Sequence, residues 1–287
     1  MHDFFRQGGT IAVAVPTPAE LEVVGLINVI VVPGEPPSDV VTAAVAAAEA
    51  RGALCILDPP AAWTTVALAA AGAEAPGFAR SPNVAVYFPR ITGPGPVRGP
   101  AGAVAGVLAR FDVLRGVWTP PAGVEAGLRG VEQLEVDVND AGNGVLNPLG
   151  VNCLRTFAGA GPVVWGSRTT ATEGSDWKYV SVRRTALFLE HSLARGLQWA
   201  RSEVNDERLW ARIRAEADAF LDGLLRDGAF SGSAARDAYF VKCDGDTTTD
   251  EDVAQGVVNV VVGFAPLRPG EFVVLRLRVA AATAGAG

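Results

Sequence analysis

Three short apolar runs constrain this chain more than any other feature: Ile27 to Val32, Ala53 to Leu57 and Val84 to Phe88. Each is continuous rather than alternating, which predicts strands buried on both faces, as in a parallel sheet covered by helices. The first ends at Pro33-Gly34 and the second at Asp58-Pro59-Pro60, residue types that turn a chain. Helical stretches separate them. Val40 to Arg51 follows Ser38 and Asp39, whose side-chain oxygens suit an N-cap, and it stops at Gly52, where a left-handed end is wanted. Ala62 to Ala71 predicts the second helix. The order β-α-β-α-β with short connections favours right-handed crossovers. Ahead of it, Thr10 to Val15 predicts one more short strand.

Beyond these runs the chain changes character. Gly93 to Gly102 is rich in Gly and Pro and predicts a loop, followed by a helix from about Ala103 to Leu114. Turn residues at Asp140 to Gly144 and Asn147-Pro148 place a soft boundary near residue 148. The expected organisation is an α/β subdomain over 1–148 and a C-terminal subdomain over 149–287. The second opens with strands at Val151 to Phe157 and Pro162 to Trp165. Two long helices follow, Val180 to Arg195 and Asp206 to Arg226, with Asn205 as the N-cap of the latter. Strands at Ala238 to Cys243, Val257 to Val262 and Glu271 to Val279 close the chain, and the small-residue tail from Ala280 should fray. The fold class is α/β, α+β overall: a first-half parallel sheet with helices, and a second-half mixed sheet with two long helices.

The 287 residues are 49% hydrophobic and 19% charged, enough apolar material for a core without covalent staples. A net charge of -7 leaves no basic footprint for nucleic acid or an anionic membrane, so neither is an expected partner. The N-terminus lacks the basic start and apolar stretch of a signal peptide, and no uncharged run reaches the ~18 residues that span a bilayer. Cys55, Cys153 and Cys243 stand far apart, without disulfide or zinc spacing, which suits synthesis in the reducing cytoplasm.

Catalytic chemistry finds little footing. Histidine occurs only at His2 and His191, and the chain has no phosphate loop, dinucleotide fingerprint or nucleophile elbow. Asp58, beyond a strand end, either orients a ligand or accepts turn N–H groups. Asp244 to Asp252 suggests calcium, but counting from Asp244 puts Thr249 and Gln255 where an EF-hand needs Gly and Glu. The sequence predicts no enzyme, no cofactor and no metal site.

Several segments, taken in order, resemble a known family. Gly161-Pro162-Val163-Val164-Trp165-Gly166-Ser167-Arg168-Thr169 precedes Trp177-Lys178-Tyr179-Val180-Ser181-Val182-Arg183-Arg184. Then come Asn205-Asp206-Glu207-Arg208-Leu209-Trp210 and Gly263-Phe264-Ala265-Pro266-Leu267-Arg268-Pro269-Gly270-Glu271-Phe272. The first half adds Ala53 to Pro60, Gly116 to Gly123 and Leu146-Asn147-Pro148. The set resembles the tail sheath proteins of contractile phages, R-type bacteriocins and extracellular injection systems. Small departures are Ser167 and Gly270, where the family usually has Ala, and Val204, where Pro is common. Such proteins usually carry an N-terminal arm before the segment seen here as Phe4-Phe5 and Gly8-Gly9. This chain begins at that segment, so the arm is removed, supplied by a separate chain, or absent from a specialised subunit.

The resemblance implies a structural subunit of a contractile sheath around an inner tube, assembled in the cytoplasm and then part of a virion or tail-like particle. Its partners would be neighbouring sheath subunits and the inner tube protein. Glu271, Phe272, Val273, Val274, Leu275, Arg276 and Leu277 would form a strand that joins a neighbour's sheet, unless they complete the chain's own. The long helix carrying Arg208, Arg212 and Glu216 would face the tube. Arg168, Arg183 and Arg184 would pair with acids such as Glu190 or Glu203, within the subunit or across a contact, or remain solvated. Trp165, Trp177, Trp210, Phe188 and Phe220 would pack behind the terminal sheet. Two other readings stand beside this one: a specialised sheath paralogue that docks as a cap or near a baseplate, and a small-molecule enzyme on the first-half sheet.

Overall fold

The computed structural model describes residues 1–172, 174–267 and 273–282. It divides into two compact units, Met1–Arg184 and Thr185–Gly287. Unit 1 begins with α1 (His2–Gln7) and a 3-10 turn, Pro18–Val23. β1 (Val29–Val32), α2 (Ser38–Arg51), β2 (Leu54–Leu57), α3 (Val66–Glu74) and β3 (Val84–Phe88) then give the expected alternation. β4 (Ile91–Gly93), β5 (Gly95–Arg98), α4 (Ala101–Arg115), β6 (Gln133–Leu134), α5 (Asp140–Leu146), β7 (Val151–Phe157) and β8 (Gly161–Val164) follow.

The main sheet has the order β1-β2-β3-β7-β8. Its first four strands are parallel, and β8 is antiparallel to β7. The continuous apolar runs exist because successive residues of a strand point to opposite faces, and here both faces are covered. Cys55, Leu57, Val84, Val86 and Phe88 pack with Ala44 and Ala48 of α2 and Ala69 and Ala73 of α3. Leu54, Ile56, Ala85 and Tyr87 pack on the other side with Val104, Val107, Leu108 and Phe111 of α4.

Local departures from the sequence reading have local causes. α2 starts two residues early, after Pro37 and without a side-chain cap, and ends as expected at Gly52, whose φ is 61°. α3 starts at Val66, because Thr65 accepts a hydrogen bond from Leu68 N at 3.2 Å. The Gly/Pro loop folds as a hairpin of β4 and β5: Gly95 turns at φ 117°, and Pro96 is tolerated because β5 is an edge strand. Asp140 to Gly144 lies in a helix, capped by Asn139 through Gly142 N at 2.9 Å. β7 and β8, expected to open the second sheet, complete the first. The strand expected at Thr10 to Val15 does not form: among the described residues no strand pairs with it.

Unit 2 takes over within α6 (Val180–Gly196). It holds a 3-10 turn (Leu197–Ser202), α7 (Glu207–Arg226), α8 (Ala235–Ala238), β9 (Tyr239–Lys242), α9 (Asp250–Ala254), β10 (Val257–Phe264) and β11 (Val273–Ala280). The three strands pair antiparallel in the order β11-β10-β9, and a single parallel bridge joins Val204 to Ala282. The cap of α7 is Asp206, not Asn205: its Oδ1 accepts from Arg208 N and Leu209 N, both at 3.0 Å. Asn205 is buried and instead donates to Val257 O at 3.0 Å while accepting from the Trp210 indole at 2.8 Å.

Candidate assembly surfaces

β11 carries the alternation expected of a half-buried strand. Val273, Leu275, Leu277 and Val279 are buried, while Val274, Arg276, Arg278 and Ala280 are exposed. One edge is paired to β10 along its whole length, from Val273 opposite Phe264 to Ala280 opposite Val257. Among the described residues no strand pairs with its outer edge. Glu271 and Phe272, placed in the same strand by the sequence reading, lie outside the described residues.

α7 buries Leu209, Ile213, Ala217, Leu221 and Leu224 and turns its charged face outward. Arg212 pairs with Glu203 at 2.9 Å and lies 4.1 Å over the ring of Trp199. Glu216 accepts from the same indole at 2.7 Å. Arg208 is exposed and, among the described residues, has no ion pair. Of the three candidate tube contacts it is the one whose charge serves no local role.

The arginines of the family-like motifs are structural ties within unit 1. Arg184 is 6% exposed and bonds Asp112 of α4 through both guanidinium nitrogens, at 2.8 and 2.6 Å. This fork geometry strengthens and orients a charge-assisted pair. Arg183 donates to Asn83 Oδ1 at 2.9 Å and lies over Trp177. Arg168 donates to Asn147 O at 3.2 Å and lies over Tyr179. Glu190 is half-buried on α6. Glu203 serves Arg212. Two of the tryptophans fall elsewhere than expected: Trp165 packs on Phe157 in unit 1, and Trp177 lies under Arg183 there. Phe188 and Phe220 do meet in unit 2, at 6.2 Å.

Sequence reasoning missed the two asparagines that organise this region. Asn152 is fully buried in β7, donating to Val86 O and Arg168 O and accepting from Arg168 N at 2.6 Å. Gly166 is needed beside it, because a Cβ there would lie 2.7 Å from the Asn152 backbone. Asn83 donates to Ala48 O and Ala53 O and accepts from Arg183. A polar residue interrupting or abutting an apolar run was the available signal, since buried amides must find partners.

Asp58 resolves to a loop tie. Its Oδ2 accepts from Gly34 N at 2.8 Å and its Oδ1 from Ala101 N at 2.7 Å, joining the loops after β1 and β2 to the start of α4. Burial holds its carboxyl above the usual range, against these two donors. It borders a cavity of about 440 Å³ between the sheet, α2 and α3, lined chiefly by Val32, Val41, Leu57, Trp63, Phe78 and Val86. Glu35, at the same cavity, accepts from Ala61 N. Both acids therefore hold backbone, and among the described residues no histidine, cysteine or serine lines the cavity. In the acidic loop, Asp244 Oδ1 accepts from Asp246 N and Thr247 N, and Asp252 closes a capping box with Thr249. Burial pushes the thiols of Cys55, Cys153 and Cys243 up to about 12, so they behave as small apolar groups. No helix among the described residues is long and apolar enough to cross a membrane.

A parallel-rich sheet covered by helices in one unit, and a three-stranded antiparallel sheet in the other, define the class of fold. The chain belongs to the phage tail sheath family. Residues 26–170 match the family described as "Phage tail sheath protein central domain", and 172–280 match "Phage tail sheath C-terminal domain". A chain in the cryo-EM structure of the anti-feeding prophage (AFP) baseplate is 32% identical, with TM-score 0.78, covering 96% of this chain and 78% of that one. A chain of the contracted sheath complex of the extracellular contractile injection system PVC is 30% identical, with TM-score 0.83 and the same coverage of both chains. The tail sheath protein of Vibrio phage KVP40 is 32% identical over 125 residues, 43% of this chain. This chain spans 19% of that protein's length, and 27% of the tail sheath protein of Enterobacteria phage T4.

Proposed function

We propose that this chain is a structural subunit of the contractile sheath of a phage tail-like injection machine, one that shortens to drive an inner tube outward. The observation that carries this reading is the ordered match to both sheath domains, together with coverage of 96% of the chain by contractile-system relatives. Contraction needs no nucleotide. It needs two sets of contacts of different energy between copies, so that a strained assembly relaxes into another. The outer edge of β11 is the surface proposed to stay joined throughout, because strand addition binds through main-chain groups and tolerates sliding side chains. The exposed face of α7 around Arg208, with Arg212 and Glu216, is proposed to meet the tube. An N-terminal arm, supplied by another chain or a preceding segment, would fit the same strand exchange.

Electron microscopy of the purified protein, alone and with a sheath-type N-terminal arm added, tests the reading. Rings or tubes are expected. Monodisperse particles in both samples would instead favour a non-polymerising subunit docked near a baseplate. The likeness to a chain of the AFP baseplate structure supports that second reading.

A further inference from the structure

Where α1 lies on α4, arginines gather in a chain that is otherwise acidic, with a net charge of -7. They are Arg6 of α1, Arg98 of β5, Arg110 of α4 and Arg129 of the loop that follows. Close backbone approach makes the gathering possible. A Cβ on Gly106 of α4 would lie 2.6 Å from Gln7 Cβ, and a Cβ on Gly130 would collide with the Arg6 guanidinium. Gly130 also sits at φ 68°, a left-handed conformation that suits glycine.

Gln7 fixes the arrangement. It is fully buried; its Nε2 donates to Arg129 O at 2.7 Å and its Oε1 accepts from Arg129 N at 2.8 Å. Arg110 donates from Nη1 to Gln7 O at 2.9 Å and from Nη2 to Gly127 O at 2.8 Å. Arg6 reaches Gly130 O at 3.5 Å. A Cβ on Gly93 would lie 2.7 Å from that same carbonyl and 3.7 Å from Arg98 Nη2, so Arg98 borders it too.

The acids at hand do not match this charge. Asp3 takes Arg98 through Nε and Nη2, at 2.6 and 3.0 Å. Among the described residues, Arg6, Arg110 and Arg129 have no ion pair. Glu125 is committed to Arg115, and Glu132, the acid nearest Arg129 in sequence, pairs with no described cation. Arg98 Nη1 is buried without a hydrogen-bond partner, although a buried donor normally has an acceptor. Burial, with the positive charge of Arg129 beside it, holds Arg110 below the usual arginine range. Like charges crowded into a part-buried patch repel one another, and an anion among them removes that cost.

We propose that this cluster is a binding site for a small multivalent oxyanion of the phosphate class, held by Arg6, Arg98 and Arg129 over the contact of α1 with α4. Guanidinium groups present their N–H donors as planar forks that fit phosphate oxygens two at a time. Forks approaching from separate elements suit a tetrahedral group, whose oxygens point to several sides, better than a flat carboxylate. A charge of about -1.5 to -2 on a phosphate group also comes nearer the unmatched positive charge than a single carboxylate does. The anion is small because the surrounding surface belongs to a chain of -7, which repels an extended polyanion. Bound there, it would tie α1 and the loop carrying Arg129 to β5. The site acts within each copy, so it stands whether or not copies assemble.

Isothermal titration of the full chain with inorganic pyrophosphate and with orthophosphate tests it, against sodium chloride at matched ionic strength. Saturable binding is expected, tighter for pyrophosphate. Arg6→Ala with Arg129→Ala, both at exposed positions, should weaken it about tenfold or more, while Arg208→Ala on α7 should leave it unchanged. Thermal unfolding of the unsubstituted chain gives a readout that needs no variant: about 10 mM pyrophosphate should raise Tm by roughly 3 °C over chloride. Absence of saturable binding to either phosphate would overturn the site, as would binding that survives the double substitution. Equal stabilisation by chloride would do the same, since screening alone then explains it. If the double substitution abolishes self-association while no phosphate binds, the cluster serves a carboxylate of a second copy and the oxyanion proposal fails.

Discussion

At the scale of single residues, two carboxylates pull stability in opposite directions with pH. Asp3 bonds Arg98 at 2.6 Å, and that guanidinium holds its carboxyl below the usual range. A lowered folded value stabilises above the unfolded value of about 3.9 and is lost as pH falls below it. Asp58 is the reverse: burial raises its folded value, so its ionisation costs stability as pH rises from about 3.9 through that raised value. Urea denaturation between mildly acidic and strongly acidic pH should therefore lose a favourable slope in Asp3→Asn and an unfavourable one in Asp58→Asn. Neither partner was legible in sequence. Arg98 sits in a stretch that reads as loop, and the donors to Asp58 come from Gly34 and Ala101, brought together only where two loops meet the start of α4.

At the scale of elements, α7 shows where local pattern suffices. Its apolar stripe at Leu209, Ile213, Ala217, Leu221 and Leu224 and its acidic first turn define the helix before any packing is known. The cap shifts by one residue because Asn205 is drawn into a buried bond with β10. Asp206→Ala should therefore cost about 1 kcal/mol in chemical denaturation, the ordinary value of a lost N-cap. β11 was equally legible, since its alternation survives intact, whereas β4 and β5 were hidden by glycine and proline that a hairpin edge tolerates. Thr10 to Val15 marks the opposite failure: the residues favour a strand, but a strand exists only where something pairs with it.

At the scale of the whole molecule, charge opposes assembly and sheet edges favour it. A chain of -7 should self-associate more strongly as salt shortens the screening length from about 30 Å at 0.01 M to about 8 Å at 0.15 M. Sedimentation across that range should show association rising with salt; a fall would mean that cross-chain ion pairs, not neutral strand edges, dominate the contact. What the sequence determined by itself was the alternation β1-α2-β2-α3-β3, the long helices α6 and α7, the strand β11 and the family, because hydrophobic period and turn chemistry are local and the motifs recur in order. The tertiary structure alone decided which strands share a sheet, since β7 joins β3, and β8 joins β7, through backbone groups that every residue carries. It also decided the roles of Asn83, Asn152, Asp112 and Asp58, each defined by partners at least 16 residues away in sequence. Such pairings are chosen by the burial of whole layers, a property no short window of sequence contains.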